Sequence, residues 1–228
     1  MIPWELIDSA PVPGSDRELR LYRRGGEFSI RVAGCELMNS RMHGSEEALA
    51  EHACERFAGP GAPRVLLGGL GMGYTAMAAL RMLGPDARLV VAELVPKVVA
   101  WNRNQLASLA GNPLADPRVT VREADVCQVI MEEKRAWDAI LLDVDNGPDG
   151  LTSRENERLY GVTGLTAACC ALRPGGLLAV WSVAAAPAFT RRLRQTGFSV
   201  DEVTVRARGA RGGRHTIWLA RRDSAQLR

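Results

Sequence analysis

Lysine is nearly missing from this chain. Lys97 and Lys134 are the only two, so almost every cation is an arginine. With 29 basic and 26 acidic side chains the net charge is only +3, which gives nucleic acid little electrostatic footing. The densest basic cluster, 206–214, reads first as a hairpin turn with solvated arginines and second as a phosphate patch. No apolar run is long enough to cross a bilayer, and MIPWELIDSAP lacks the basic-then-apolar layout of a leader. A cytoplasmic protein with no membrane partner is expected. The five cysteines (35, 54, 127, 169 and 170) are odd in number and show no CxxC spacing. That pattern argues for free thiols over a disulfide framework or zinc site, and no metal is expected.

What is present is a chain of 228 residues, 46% apolar and 24% charged, enough for one medium domain with a small appendage. Two units are expected: a small N-terminal β segment over 1–43 and an α/β domain over 44–228. In the first, Leu19 and Leu21, then Phe28, Ile30 and Val32, alternate with polar residues around Gly25-Gly26, a hairpin signal. Residues 35–38 offer a third short strand. A helix is expected over 45–58, with acids in its first turn and Gly59-Pro60 as its stop.

From residue 64 the pattern alternates. Strand-like runs at 64–68, 88–93, 118–122, 138–142 and 177–182 are separated by helix-like runs near 73–83, 95–109, 126–134 and 157–172. Such alternation predicts a parallel sheet with helices on both faces. A helix near 186–196 and strands at 198–205 and 215–220 follow, the last two joined too tightly for a crossover helix. Five parallel strands and a closing antiparallel hairpin make the element order of the Rossmann-like S-adenosylmethionine-dependent methyltransferase fold, with a mostly parallel seven-stranded sheet.

The chemistry-bearing residues sit at the ends of these strands. The run VLLGGLGMGYTA leads from a strand through Gly69, Gly71 and Gly73 into a helix, which presents backbone N–H groups to a ligand. Glu93 ends the next strand, where an acid commonly accepts ribose hydroxyls; the alternative is a surface glutamate. Asp125 could accept an adenine amine or cap the helix that follows, and both roles are compatible. Asp143 and Asp145 stand in LLDVDNGPDG, after the following strand. In open α/β sheets the ligand crevice lies at those carboxyl ends. NAD fits the glycine spacing too, but Asp125 and the closing hairpin favour an S-adenosyl compound. Among the histidines, His52 and His215 read as structural, while His43 is the one nearest the expected crevice. Tyr160 is a candidate for lining an acceptor pocket; Trp181 reads better as core.

Taken together, RVLLGGLGMG, VVAELVPKVV, DPRVTVREAD, WDAILLDVDNGP and LRPGGLLAVWS resemble the spermidine synthase (polyamine aminopropyltransferase) family over about 39–222. The resemblance implies S-adenosylmethionine or its decarboxylated form as donor and an amine or polyamine-like small-molecule acceptor. It assigns Gly69 and Gly73 to the cofactor glycines, Glu93 to the ribose and Asp125 to the adenine. Asp143 matches the acid that helps deprotonate the attacking amine. Tyr160, His43 and Asp145 are then expected on the substrate side. The chain departs from the family at Gly71, which stands where an acid meets the donor's aminopropyl ammonium. The acceptor loop is two residues shorter, and His43-Gly44-Ser45-Glu46 replaces a His-Glu pair. Aminopropyl or other alkyl transfer is therefore the leading expectation. Methyl transfer follows, favoured by the GxGxG form but opposed by Leu67, which occupies the place of an acid often found two residues before the first glycine. A non-catalytic homologue that binds a nucleoside thioether is the third. Exposed strand edges in the N-terminal segment suit a homodimer.

Overall fold

Val65, Leu66 and Leu67 expose none of their surface, and the two sides of this run serve different cores. Val65 and Leu67 join one apolar cluster and Leu66 the other, the period of two that a strand imposes. A strand buried on both faces belongs at the centre of a parallel sheet. The structure is a computed structural model that describes residues 2–57, 61–144, 146–148, 158–208 and 211–223.

The N-terminal part is an antiparallel sheet of β1 (Glu5–Pro11), β2 (Glu18–Arg24), β3 (Glu27–Val32) and β4 (Cys35–Asn39), paired in chain order. The expected hairpin forms around Gly25-Gly26, with Leu21 opposite Ile30. After it come α1 (Gly44–Phe57), β5 (Arg64–Gly68), α2 (Tyr74–Met82), β6 (Arg88–Glu93), α3 (Pro96–Arg103), β7 (Val119–Glu123), α4 (Val126–Glu132) and β8 (Trp137–Leu142). The chain closes with α5 (Val162–Ala171), β9 (Leu172–Ser182), α6 (Pro187–Gln195), β10 (Phe198–Arg208) and β11 (Arg211–Arg222). The second sheet has the order β10-β11-β9-β8-β5-β6-β7, with β11 antiparallel to its neighbours on both sides. This is the seven-stranded, mostly parallel sheet with a closing hairpin that the sequence predicts.

Three local readings change. A fourth N-terminal strand, β1, forms where none is expected. The helix expected over 95–109 ends at Arg103, because Asn104 adopts φ −126° and ψ −94° and leaves the helical region. The LRPGG stretch is a bulge inside β9: Leu172 pairs with Trp137, and pairing resumes only at Leu177 with Ala139. Among the described residues no helix is long and apolar enough to cross a membrane.

Strand order reverses at β5. The chain builds β6 and β7 on one side of it, then crosses to β8 and β9 on the other. At this switch point the carboxyl ends of β5 and β8 meet through the main chain. Asp143 N donates to Gly68 O at 2.9 Å, and Gly69 N donates to Ala92 O of β6 at 2.9 Å. The approach leaves no room for a side chain, since a Cβ on Gly69 would overlap the Asp143 carbonyl. Gly69 also has φ +87°, a left-handed conformation that favours glycine. The N-terminal sheet is fastened beside this crevice by Asp8 of β1, which accepts from Trp101 Nε1 at 2.9 Å and lies 3.0 Å from Lys97 Nζ on α3.

Gly69→Ala is expected to destabilise the protein by about 3 kcal/mol or more, by combining backbone strain with a backbone overlap. Gly25→Ala, with φ +59° and open space around it, should cost only about 1 kcal/mol. Denaturant unfolding of the two variants checks the contrast, and equal losses would contradict it.

Candidate functional site

The glycine loop after β5 is held from three sides. Glu93, 8% exposed at the end of β6, accepts Leu70 N on Oε2 at 2.9 Å and Val95 N on Oε1 at 2.8 Å. The surface alternative for Glu93 is thereby excluded: the side chain is buried and fixes the loop. From behind, Asn102 of α3 donates through Nδ2 to Gly71 O at 2.8 Å and to Val98 O at 2.9 Å. Gly73, at φ +87°, opens α2 with no side-chain cap, and a Cβ there would stand 3.0 Å from Asn102 Oδ1 and Pro113 Cγ. Uncapped N–H groups at a helix start carry partial positive charge and remain open to a ligand.

Two strand ends away, Asp125 caps α4, its Oδ1 accepting from Cys127 N at 2.8 Å. The capping role foreseen for it is present, and the half-buried residue lies at the end of the strand beside Glu93.

Across the switch point, Asp143 follows β8. Its Oδ2 accepts the Thr75 hydroxyl proton at 2.5 Å, from the first turn of α2. Burial pushes the Asp143 carboxyl up to about 6, against the opposing pull of the Thr75 hydrogen bond. Beside it opens a small cleft. Its walls come from separate parts of the chain: Leu37 and Met38 of β4, Glu46 of α1, Leu70, Gly71 and Met72 of the glycine loop, and Trp181 of β9. Tyr74 and Thr75 of α2 complete it.

Glu46 carries the sharpest electrostatic feature. Its Oε2 is buried without a hydrogen-bond partner. Burial, then the negative charges of Asp143 and Glu47, hold its carboxyl well above the usual range. The residue was legible in the sequence only as part of the stretch replacing a His-Glu pair. Its place in the first turn of α1, and the packing of α1 against α2, bring it to the cleft.

Trp181 lines the cleft too, against its reading as core, and its Nε1 is buried without a partner. The ring stands edge-on to His215, with centroids 4.9 Å apart. His215 Nδ1 lies 2.8 Å from the Ser45 hydroxyl, so Trp181, His215 and the start of α1 form one connected wall. Burial lowers the His215 pKa, which keeps its ring neutral near pH 7. His215 is thus structural, as expected.

The expected substrate-side residues fare differently. His43 stacks on Tyr74 with centroids 3.9 Å apart and sits 3.4 Å from Glu47, behind the cleft wall and not on its surface. Tyr160 is 1% exposed and belongs to the core on the opposite face of the sheet, edge-on to Phe189, with its hydroxyl donating to Val144 O at 3.4 Å. It does not line the cleft beside Asp143, because α5 and α6 cover the other side of the sheet. Asp145 lies outside the described residues. Gly71, at φ +53°, faces Met38, whose Sδ would stand 3.2 Å from a Cβ placed there.

No family model matches the chain, and no curated protein matches it in sequence. Solved structures do. A spermidine synthase in complex with the transition state analogue AdoDATO superposes with a TM-score of 0.75 and 18% identity, covering 95% of this chain and 73% of that one. The spermidine synthase from Thermotoga maritima gives 0.72 and 16% identity, over 95% and 72% of the two chains. An O-methyltransferase family protein from Burkholderia thailandensis gives 0.56 and 16% identity, over 79% of this chain and 57% of that one. The chain therefore has the spermidine synthase-like α/β fold.

A carboxyl whose pKa is raised on folding destabilises the folded state once it is ionised. For Asp143 the folded state holds its proton up to about pH 6, whereas the unfolded chain releases it near 3.8, so stability falls as pH rises through that window. Asp143→Asn should therefore raise stability at pH 8 by about 1 to 3 kcal/mol and change it little at pH 4. Melting curves at the two pH values test this; equal shifts would contradict it.

Proposed function

We propose that this chain is an S-adenosyl-dependent transferase that moves an alkyl group from a sulfonium donor to a small amine-type acceptor. The observation that carries the reading is one cleft at the switch point, lined by the glycine loop and Asp143, with Glu93 fixing that loop through Leu70 N. The local geometry fits such a donor: Gly69, Gly71 and Gly73 take left-handed conformations with no side chain between the loop and a ligand, and Glu93 fixes that loop through Leu70 N. Gly69–Gly73, Glu93 and Asp125 would hold the nucleoside, with Glu93 at the ribose and Asp125 at the adenine. When bound, a sulfonium supplies a carbon already activated for displacement, with a neutral thioether as leaving group.

The chain's own residues have a modest chemical task. The attacking nitrogen must be neutral and aligned, and the proton it carries must leave as the new C–N bond forms. Asp143 suits that role, since a carboxyl with a pKa of about 6 is ionised at neutral pH yet more basic than a free aspartate. Thr75 fixes the orientation of its carboxylate. Trp181, Leu37 and Leu70 shield the cleft, which strengthens every charge interaction inside it.

Methyl transfer is the second reading. It is favoured by Met38, which places a thioether beside Gly71 where the lone ammonium of an aminopropyl tail would call for a carboxylate, whereas a methionine tail brings its own.

Calorimetric titration with S-adenosylmethionine, decarboxylated S-adenosylmethionine and methylthioadenosine tests the proposal. At least one is expected to bind, and silence from all three would sink it. A preference for the decarboxylated donor decides for aminopropyl transfer; a methylated product decides for the second reading. Asp143→Asn should lower turnover by roughly 10²- to 10⁴-fold with little change in donor affinity.

A further inference from the structure

Glu46 and Asp143 come from helices and strands far apart in the chain, yet they line one cleft and each feels burial there. Glu46 presents a buried oxygen with no partner, and Trp181 presents a buried N–H with none. No lysine or arginine lines the cleft among the described residues. The other titratable groups packed around the pair supply no cation to it. Glu47 adds negative charge from α1 and is itself approached by His43 at 3.4 Å and Arg81 at 3.9 Å. Tyr74 on α2 is pushed up to about 12 and stays neutral, as does His215 behind Ser45.

Two carboxyls that share a small, mostly apolar cleft oppose each other's ionisation, which favours one proton and one negative charge on the pair. The rest of the wall is thioether, aliphatic and indole: Met38, Leu70, Met72 and Trp181. We propose that the cleft takes a singly charged primary amine with a short apolar body, its one ammonium held by Glu46 and Asp143 together. One ammonium neutralises the pair as it stands. A second ammonium would have to expel the shared proton and lose its hydration against an apolar wall. The inference deepens the transferase reading by naming the acceptor class, and it rests on that reading for the meaning of the site.

The test is titration of the full chain with butan-1-amine, 1,4-diaminobutane, butan-1-ol and, separately, methylthioadenosine. Butan-1-amine is expected to bind at least about tenfold more tightly than the diamine or the alcohol, the scale of one charge-assisted hydrogen bond. Repeating the titration in buffers of different ionisation enthalpy should show no net proton exchange for the monoamine. Asp143→Asn should weaken monoamine binding by about tenfold or more while melting no lower than the parent at pH 8, which separates lost binding from lost folding. A diamine that binds as well as the monoamine, or an alcohol that does, overturns the single-cation site. Methylthioadenosine binding without any amine binding overturns this inference and leaves the donor reading standing. Failure of both ligands removes the two together.

Discussion

Everything about the site follows from how closely two backbones approach at the centre of the sheet. Gly69 lies against the Asp143 carbonyl, and the Asp143 amide is tied to Gly68. Because no side chain intervenes, the loop after β5 and the loop after β8 form one surface. That contact brings the first turn of α2 near enough for Thr75 to hold the Asp143 carboxylate. It also leaves Glu93, on the neighbouring strand, in reach of Leu70 N. A Cβ at this one point would push the loop after β5 away from the loop after β8.

The N-terminal sheet supplies the other half of the cleft. Met38 reaches over Gly71, and the sheet is held in place by Asp8 against Trp101 and Lys97 and by the Tyr74 hydroxyl donating to Ser40 O. Acidic groups thus face a wall that is mostly apolar. In that setting charge is scarce and strongly felt, so the protonation of Glu46 and Asp143 shapes both the stability of the fold and what can enter the cleft.

Much of the scaffold was legible because it is written locally. The runs at 64–68 and 88–93 are β5 and β6 to the residue, since a strand buried on both faces has no polar interruption. The positions of Gly69, Gly73 and Glu93 at strand and helix ends follow from the same pattern. β1 escaped notice because its burial is irregular, with Leu6 half exposed and a register shift between Leu6 and Asp8, so no clean alternation marks it. Glu46, Thr75, Asn102 and Trp181 escaped for a different reason. Their roles depend on how α1, α2 and α3 pack on the sheet and on β9 lying next to β8, contacts that no spacing along the chain encodes. Tyr160 shows the converse: a tyrosine near the acceptor loop in sequence is carried to the far face by its position before α5.

The cleft walls join residues 38, 46, 143 and 181 to the stretch 70–75, so its parts come from far apart in the chain. Beside the β5–β8 ladder, the hydrogen bond from Arg64 N to the Asp138 carboxylate spans 74 residues. Loop closure over such distances must be overcome before parallel pairing stabilises the chain, which makes sheets of this kind slow to assemble. During synthesis the glycine loop emerges well before β8 and β9, so the Asp143 side of the cleft is added only later. The cleft is therefore a property of the finished fold, and no shorter segment of the chain carries it in advance.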